Sequence, residues 1–171
     1  MLLLFIFLPL IISQAPPFTP KPIIGILTQP SPFPDFPKEN YSQIQIAYVR
    51  DMEAAGAKVL AIKYDEGEET LRKIFNGLNG LVLTGGGTNL RERNSTSKKK
   101  QLSKYGKAAK FLIKLAREEN KGGRYFPVWG TCLGFEILLM SYSTKTNTIN
   151  RVFGMVNHID NLNFIQVNFL F

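Results

Sequence analysis

Two strand-like runs in this chain end in glycine clusters and lead into helical patterns, and this repeated strand–glycine–helix order limits the fold more than any other feature. Gly80-Leu-Val-Leu-Thr84 passes directly into Gly85-Gly86-Gly87. Tyr125 to Trp129 passes into Gly130-Thr131-Cys132-Leu133-Gly134, ahead of a helical run from Phe135 to Met140. Two more apolar runs read as strands: Pro22 to Leu27, stopped by Gln29-Pro30, and Ala57 to Ile62. Between them Ile44, Ala47, Val49, Met52 and Ala55 recur with helical period over Tyr41 to Ala55, and Gly56 stands where a C-cap glycine belongs. Glu66 to Leu78 places Leu71, Ile74, Phe75 and Leu78 on one helical face, with glutamates in the first turn where the helix dipole favours them. Leu102 to Glu119 reads as a long amphipathic helix through Tyr105, Ala109, Leu112, Leu115 and Ala116. Strands alternating with helices predict an α/β domain with a mostly parallel sheet and helices on both faces. Ligands then bind at the carboxyl ends of the strands, where both glycine clusters fall.

Residues 88 to 101 are polar and read as a loop. Beyond Glu136 the pattern fades, through a polar stretch from Ser141 to Asn150 and an alternating one from Ile159. An end on Phe169-Leu170-Phe171 reads as a domain cut short at its C-terminus.

Composition narrows the function classes. The chain has 171 residues, 44% of them apolar and 20% charged, enough for one sizeable core and unlike collagen or a disordered chain. With one cysteine and one histidine there is no Cys/His zinc site and no intrachain disulfide. The formal net charge of +8 draws anions without choosing among them. Residues 1–15 open with an apolar run from Met1 to Ile12 that reads as a signal peptide, too short for the ~20 residues of a membrane span. An uncleaved anchor and a buried strand are the alternatives. Residues 16–21 are a proline-rich linker. Sequons at Asn40 and Asn94 agree with a secretory route without requiring it.

The chemistry concentrates in Gly130-Thr131-Cys132-Leu133-Gly134. A sharp turn from strand to helix needs small residues on both sides, lifts the central side chain above the sheet edge and aims a helix N-terminus at it. With cysteine at the centre this is the arrangement of an activated thiolate nucleophile, and the alternative is a buried structural thiol. Backbone N–H groups of the Thr84-Gly85-Gly86-Gly87 segment, together with that of Leu133, can then face the oxyanion that forms on an attacked carbonyl. The alternatives for the glycine cluster are a plain turn or a phosphate loop. No Lys-Ser/Thr follows it and no G-x-G-x-x-G is present.

The segments PIIGILTQP, YVRDMEAAGAKV, LNGLVLTGGG and FPVWGTCLGFE, in that order and spacing, resemble the γ-glutamyl hydrolases, cysteine peptidases of the class I glutamine amidotransferase-like superfamily. The resemblance covers Pro22 to about Met140 well and implies that residues 22–171 are the N-terminal part of such a domain, with a flavodoxin-like fold. It implies cleavage of γ-linked glutamate from folylpolyglutamates in lysosomes, vacuoles or outside cells, with no cofactor or metal and with a homodimer left open. It matches Cys132 to the nucleophile, Leu133 and the Gly86 region to the oxyanion donors, and Glu136 to the motif glutamate. The departure lies in the general base: the family's Trp-His-Pro-Glu-like motif is absent, and His158 in Asn157-His158-Ile159-Asp160 reads as an ordinary polar histidine. A chain without that base is expected to be nearly inactive alone. A secreted pseudoenzyme and a glutaminase-type amidotransferase domain are the other readings.

Arg91, Arg93, Lys98, Lys99 and Lys100 stand against Glu92 in the polar segment, which is either a solvated loop or an attractor for a polyglutamate tail. No aromatic residues are interleaved with these charges, so nucleic acid is not an expected partner. Nor is a membrane, once the signal is removed.

Overall fold

The computed structural model describes residues 20–93, 100–143 and 149. The apolar N-terminal segment, the Asn94 sequon, Lys98, Lys99, His158 and the final apolar stretch lie outside the described residues.

Four strands form the central sheet: β1 (Ile23–Leu27), β4 (Lys58–Ile62), β5 (Gly80–Leu83) and β8 (Val128–Gly130). Their spatial order is β4-β1-β5-β8 and every pairing is parallel. The connections are helical: α1 (Ile46–Ala54), α2 (Glu68–Asn76) and α3 (Lys104–Lys121), with α4 (Leu133–Tyr142) following β8. Counting sheet strands along the chain, the order is 2-1-3-4, that of flavodoxin-like sheets, and the direction of strand addition reverses between β1 and β5. A crevice opens at such a reversal, beyond the carboxyl ends of the two strands. The fold class expected from the sequence is therefore observed.

The core lies on one side of the sheet. Leu71 and Phe75 of α2, nine residues of α3, and Leu133 and Ile137 of α4 are buried there with Leu27, Ile62, Leu81 and Leu83. Phe75 and Phe126 stack with ring centroids 4.4 Å apart. Asn120 accepts from the Phe126 N–H at 2.8 Å and donates to the Phe126 carbonyl at 2.8 Å, which ties the end of α3 to the approach of β8. That tie matters because β8 carries the cysteine turn.

Several local expectations are corrected. The helix predicted from Tyr41 begins at Ile46, because Ser42–Gln43 (β3) pairs antiparallel with Gln29–Pro30 (β2). The apolar period over 41–55 marks no core face: α1 buries no residue, since it lies beside the edge strand β4. Its stop is as expected. Gly56 has φ 86°, and the N–H groups of Gly56 and Ala57 donate to the Glu53 and Met52 carbonyls at 2.9 and 3.0 Å, a Schellman cap. The polar loop is in part an antiparallel ribbon, Arg91–Arg93 (β6) with Lys100–Leu102 (β7). The strand predicted over 125–129 is Val128–Gly130, and α4 begins at Leu133, ahead of Phe135.

Candidate active site

Cys132 is the N-cap of α4 and is exposed, with φ 51° and ψ −110°. Among the described residues it is the one non-glycine with positive φ. That combination lies outside the left-handed helical well, so the turn is strained, as a nucleophile elbow requires. The strain persists because the flanks are fixed. A Cβ on Gly134 would sit 2.0 Å from the Leu83 carbonyl oxygen of β5, and one on Gly130 would sit 2.6 Å from the Gly134 carbonyl oxygen. Helix α4 thus packs directly on the sheet backbone, and no larger residue fits at either glycine. Thr131 donates its N–H to the Leu83 carbonyl at 3.1 Å, which joins the turn to β5.

The second glycine cluster meets this turn from the neighbouring strand. A Cβ on Gly85 would lie 3.3 Å from Cys132 Cβ, so the Thr84-Gly85-Gly86-Gly87 segment runs alongside the cysteine. The Gly85 N–H is committed, since it donates to Tyr48 Oη of α1 at 3.0 Å. Gly86 and Gly87 are exposed, and among the described residues their N–H groups have no acceptor. The Leu133 N–H, in the first turn of α4, is likewise without an intrahelical partner. Glu136 is half-buried in the first turn of α4 and donates its N–H to the Cys132 carbonyl at 3.0 Å.

Sequence reasoning passed over the residue that holds the glycine segment. Gln29, read only as a strand stop, is 4% exposed. Its Nε2 donates to the Gly85 carbonyl at 2.8 Å and to Thr84 Oγ1 at 3.0 Å, while its Oε1 accepts from Thr88 Oγ1 at 2.8 Å. The same amide explains Gly86, where a Cβ would lie 2.2 Å from Gln29 Oε1. Tyr48 was also missed. A polar side chain just beyond the carboxyl end of the first strand was the available signal for Gln29; nothing local pointed to Tyr48.

A cavity of about 820 Å³ adjoins Gly86 and Gly87, walled by the segments after β1, β4 and β5. Gln29, Tyr64, Asp65, Glu92 and Tyr105 line it. Burial, and then the carboxylates of Asp65 and Glu39, push Tyr64 above the ordinary tyrosine value. Burial alone pushes Tyr105 up to about 12. Strand alternation in β6 sends Glu92 to this cavity and Arg91 to a separate cleft shared with Lys110. Glu92, the acid that stands against the expected cation cluster, thus lines this cavity, and Arg91 lines the other.

A four-stranded parallel sheet with a strained, exposed cysteine at the turn between a strand and a helix defines a class: the α/β proteins that carry a cysteine at a sharp strand-to-helix elbow. The family model for Peptidase C26 matches residues 22–167, and the chain belongs to that family. Curated relatives agree. It is 38% identical over 137 residues to the gamma-glutamyl hydrolase of Homo sapiens, covering 76% of this chain and 39% of that protein. It is 37% identical to that of Bos taurus, covering 81% of this chain and 42% of the relative. To gamma-glutamyl hydrolase B of Dictyostelium discoideum it is 33% identical, covering 85% and 39%. The chain spans about two fifths of the length of these relatives.

Proposed function

We propose that this chain carries the acyl-accepting half of a cysteine γ-glutamyl hydrolase acting on poly-γ-glutamylated folates. The observation that carries the reading is the juxtaposition of the strained, exposed Cys132 with a glycine segment in which the Gly86 and Gly87 N–H groups have no acceptor among the described residues. In the proposed reaction the Cys132 thiolate attacks the γ-amide carbonyl, and the resulting oxyanion accepts hydrogen bonds from the Gly86, Gly87 and Leu133 N–H groups. The C–N bond then breaks, the departing amine takes up a proton, and a γ-glutamyl thioester remains on sulfur. Water hydrolyses that thioester, releasing the shortened pteroyl-glutamate and restoring the thiol, the glutamate of the tail having left as the amine in the preceding step. Glu136, one turn along α4, serves to position the glutamyl group. No metal or cofactor takes part. The enzyme acts in the secretory pathway, outside cells or in a lysosome or vacuole; among the described residues no helix is long and apolar enough to cross a membrane.

The sole histidine stands outside the motif that the resemblance leads one to expect, which gives the pseudoenzyme reading its footing. One experiment separates the two. Glutamate release from a γ-linked polyglutamate is measured for the wild-type chain and for Cys132→Ala, beside labelling of Cys132 by a γ-glutamyl-like diazoketone. Release that vanishes in the variant supports the hydrolase. Labelling without release supports a binding remnant with an intact elbow, and neither signal overturns the acyl-transfer reading.

A further inference from the structure

The acyl-transfer steps leave the outer face of α3 unused. From Lys104 to Arg117 this helix carries Lys104, Lys107, Lys110, Lys114 and Arg117 and no acidic residue. Each follows the last by three or four positions, so they form one row of roughly 20 Å at the helical rise. Every residue between them is buried, so this stretch of α3 meets solvent through its cations. Lys107, Lys110, Lys114 and Arg117 line one cleft of about 460 Å³, with Glu68 as the sole acid on its wall. Such a row works against the helix. Like charges three or four positions apart destabilise it, and Lys104 opens a first turn that holds no acid, where the dipole disfavours a cation. The neighbouring α2 shows the ordinary arrangement, with Glu68 and Glu69 in its first turn and Lys73 Nζ 2.8 Å from Glu69 Oε1. On α3, Lys107 and Lys110 have no ion pair among the described residues, and Lys114 has an exposed contact with Glu118 at 3.8 Å. Arg117 is held in place. Its guanidinium lies 4.6 Å from the Tyr142 ring centroid, and Nη1 donates to the Ser141 carbonyl at 3.4 Å.

We propose that this row is a docking surface for a linear sulfated polysaccharide, laid along α3 across the cleft. The inference goes beyond the reading of Cys132 and does not depend on it. Anions placed between successive cations remove the repulsion that the row otherwise carries, and a sulfated chain supplies them in line and closely spaced. Other polyanions fit less well. A membrane surface is met by apolar side chains that protrude beside the cations, whereas Phe111 and Ile113, which line the cleft, are buried. Single-stranded nucleic acid is met by open aromatic faces, and the ring at the end of this row, Tyr142, is covered by Arg117. The row also leads away from the Cys132 turn, because α3 returns from the carboxyl end of β5 to the approach of β8. It therefore suits a polymer held beside the catalytic end rather than the bond being cleaved.

Binding of a heparin octasaccharide to the intact chain is measured by isothermal titration calorimetry over a range of salt concentrations. Hyaluronan of the same length, which carries carboxylates alone, hexa-γ-glutamate, a single-stranded oligonucleotide and phosphatidylserine vesicles are titrated beside it. Heparin is expected to bind most tightly, with an affinity that falls steeply as salt rises. The triple variant Lys107→Gln, Lys110→Gln, Lys114→Gln should weaken heparin about ten-fold and flatten the dependence of log Kd on log salt by about two. A control, Lys58→Gln, Lys63→Gln, Lys73→Gln, removes the same charge from exposed lysines elsewhere and should change the affinity less than about two-fold. At low salt the row variant should melt no lower than wild type, since it relieves like-charge repulsion, so weaker binding cannot be put down to a lost fold. No heparin binding, equal weakening in the two triple variants, or tighter binding of hyaluronan, hexa-γ-glutamate, the oligonucleotide or the vesicles overturns the proposal.

Discussion

Cys132 holds a backbone conformation that costs of order 1–3 kcal/mol for a side-chain-bearing residue, and the glycines around it let the surrounding packing bear that cost. Gly134→Ala would drive a methyl group into the Leu83 carbonyl, so we expect a loss of about 3 kcal/mol in urea denaturation. An unchanged midpoint would mean that α4 does not pack on the sheet as described. Tyr105 makes a different prediction. Its folded value of about 12 lies above the ordinary 10.0, so the folded state holds the proton more tightly than the unfolded chain. That contribution is fully present below pH 10 and is lost as pH rises toward 12. It amounts to roughly 3 kcal/mol. Stability measured across that window should fall in wild type, and Tyr105→Phe should remove this part of the fall. At the residue scale the sequence exposed the cysteine and its two glycines, because their spacing is local. It hid Gln29 and Tyr48, whose partners lie 55, 56 and 59 positions away for the first and 37 for the second.

Helix α3 shows how an element is delimited by its caps. Ser103 Oγ accepts from the Gly106 N–H at 3.1 Å, and the apolar positions read from the sequence, from Tyr105 to Ala116, are buried. Ser103→Ala should cost about 1 kcal/mol, detectable as a lower thermal midpoint with the fold retained. At the mouth of the crevice, Gln29 connects the end of β1 to the turn after β5. We expect Gln29→Leu to slow diazoketone labelling of Cys132 about ten-fold while leaving the sheet intact by circular dichroism, since the variant frees the Thr84-Gly85 segment. Labelling at the wild-type rate would show that the glycine segment keeps its place without the amide. The β2–β3 and β6–β7 pairs escaped sequence reasoning for a physical reason. Two- and three-residue strands carry too little alternation to distinguish them from loop, and each pair closes across a connection longer than the two-residue turns that announce a hairpin in sequence.

Across the whole molecule the charge is +8, yet the cavity is lined by Glu39, Asp65 and Glu92 beside Lys38 and Lys104, while Arg91 lines a separate cleft with Lys110. Replacing Lys98, Lys99 and Lys100 by glutamine is expected to raise KM more for long polyglutamate tails than for diglutamate, with the difference shrinking at high salt. An equal effect on both lengths would remove any role for these lysines in recruiting the tail. The sheet order and its reversal between β1 and β5 put both glycine clusters at one end of the domain. By itself the sequence determined the alternation of strands and helices, the elbow around Cys132 and the parallel α/β class, because periodicity, glycine sterics and capping act over a few neighbouring residues. Only the tertiary structure decided that Gly85 lies against Cys132, that Gln29 fixes the glycine segment, that Glu92 rather than Arg91 lines the cavity, and that the Tyr105 hydroxyl is buried without a hydrogen-bond partner among the described residues. Those outcomes depend on crossovers, strand register and burial, which bring together groups that no local window of sequence contains.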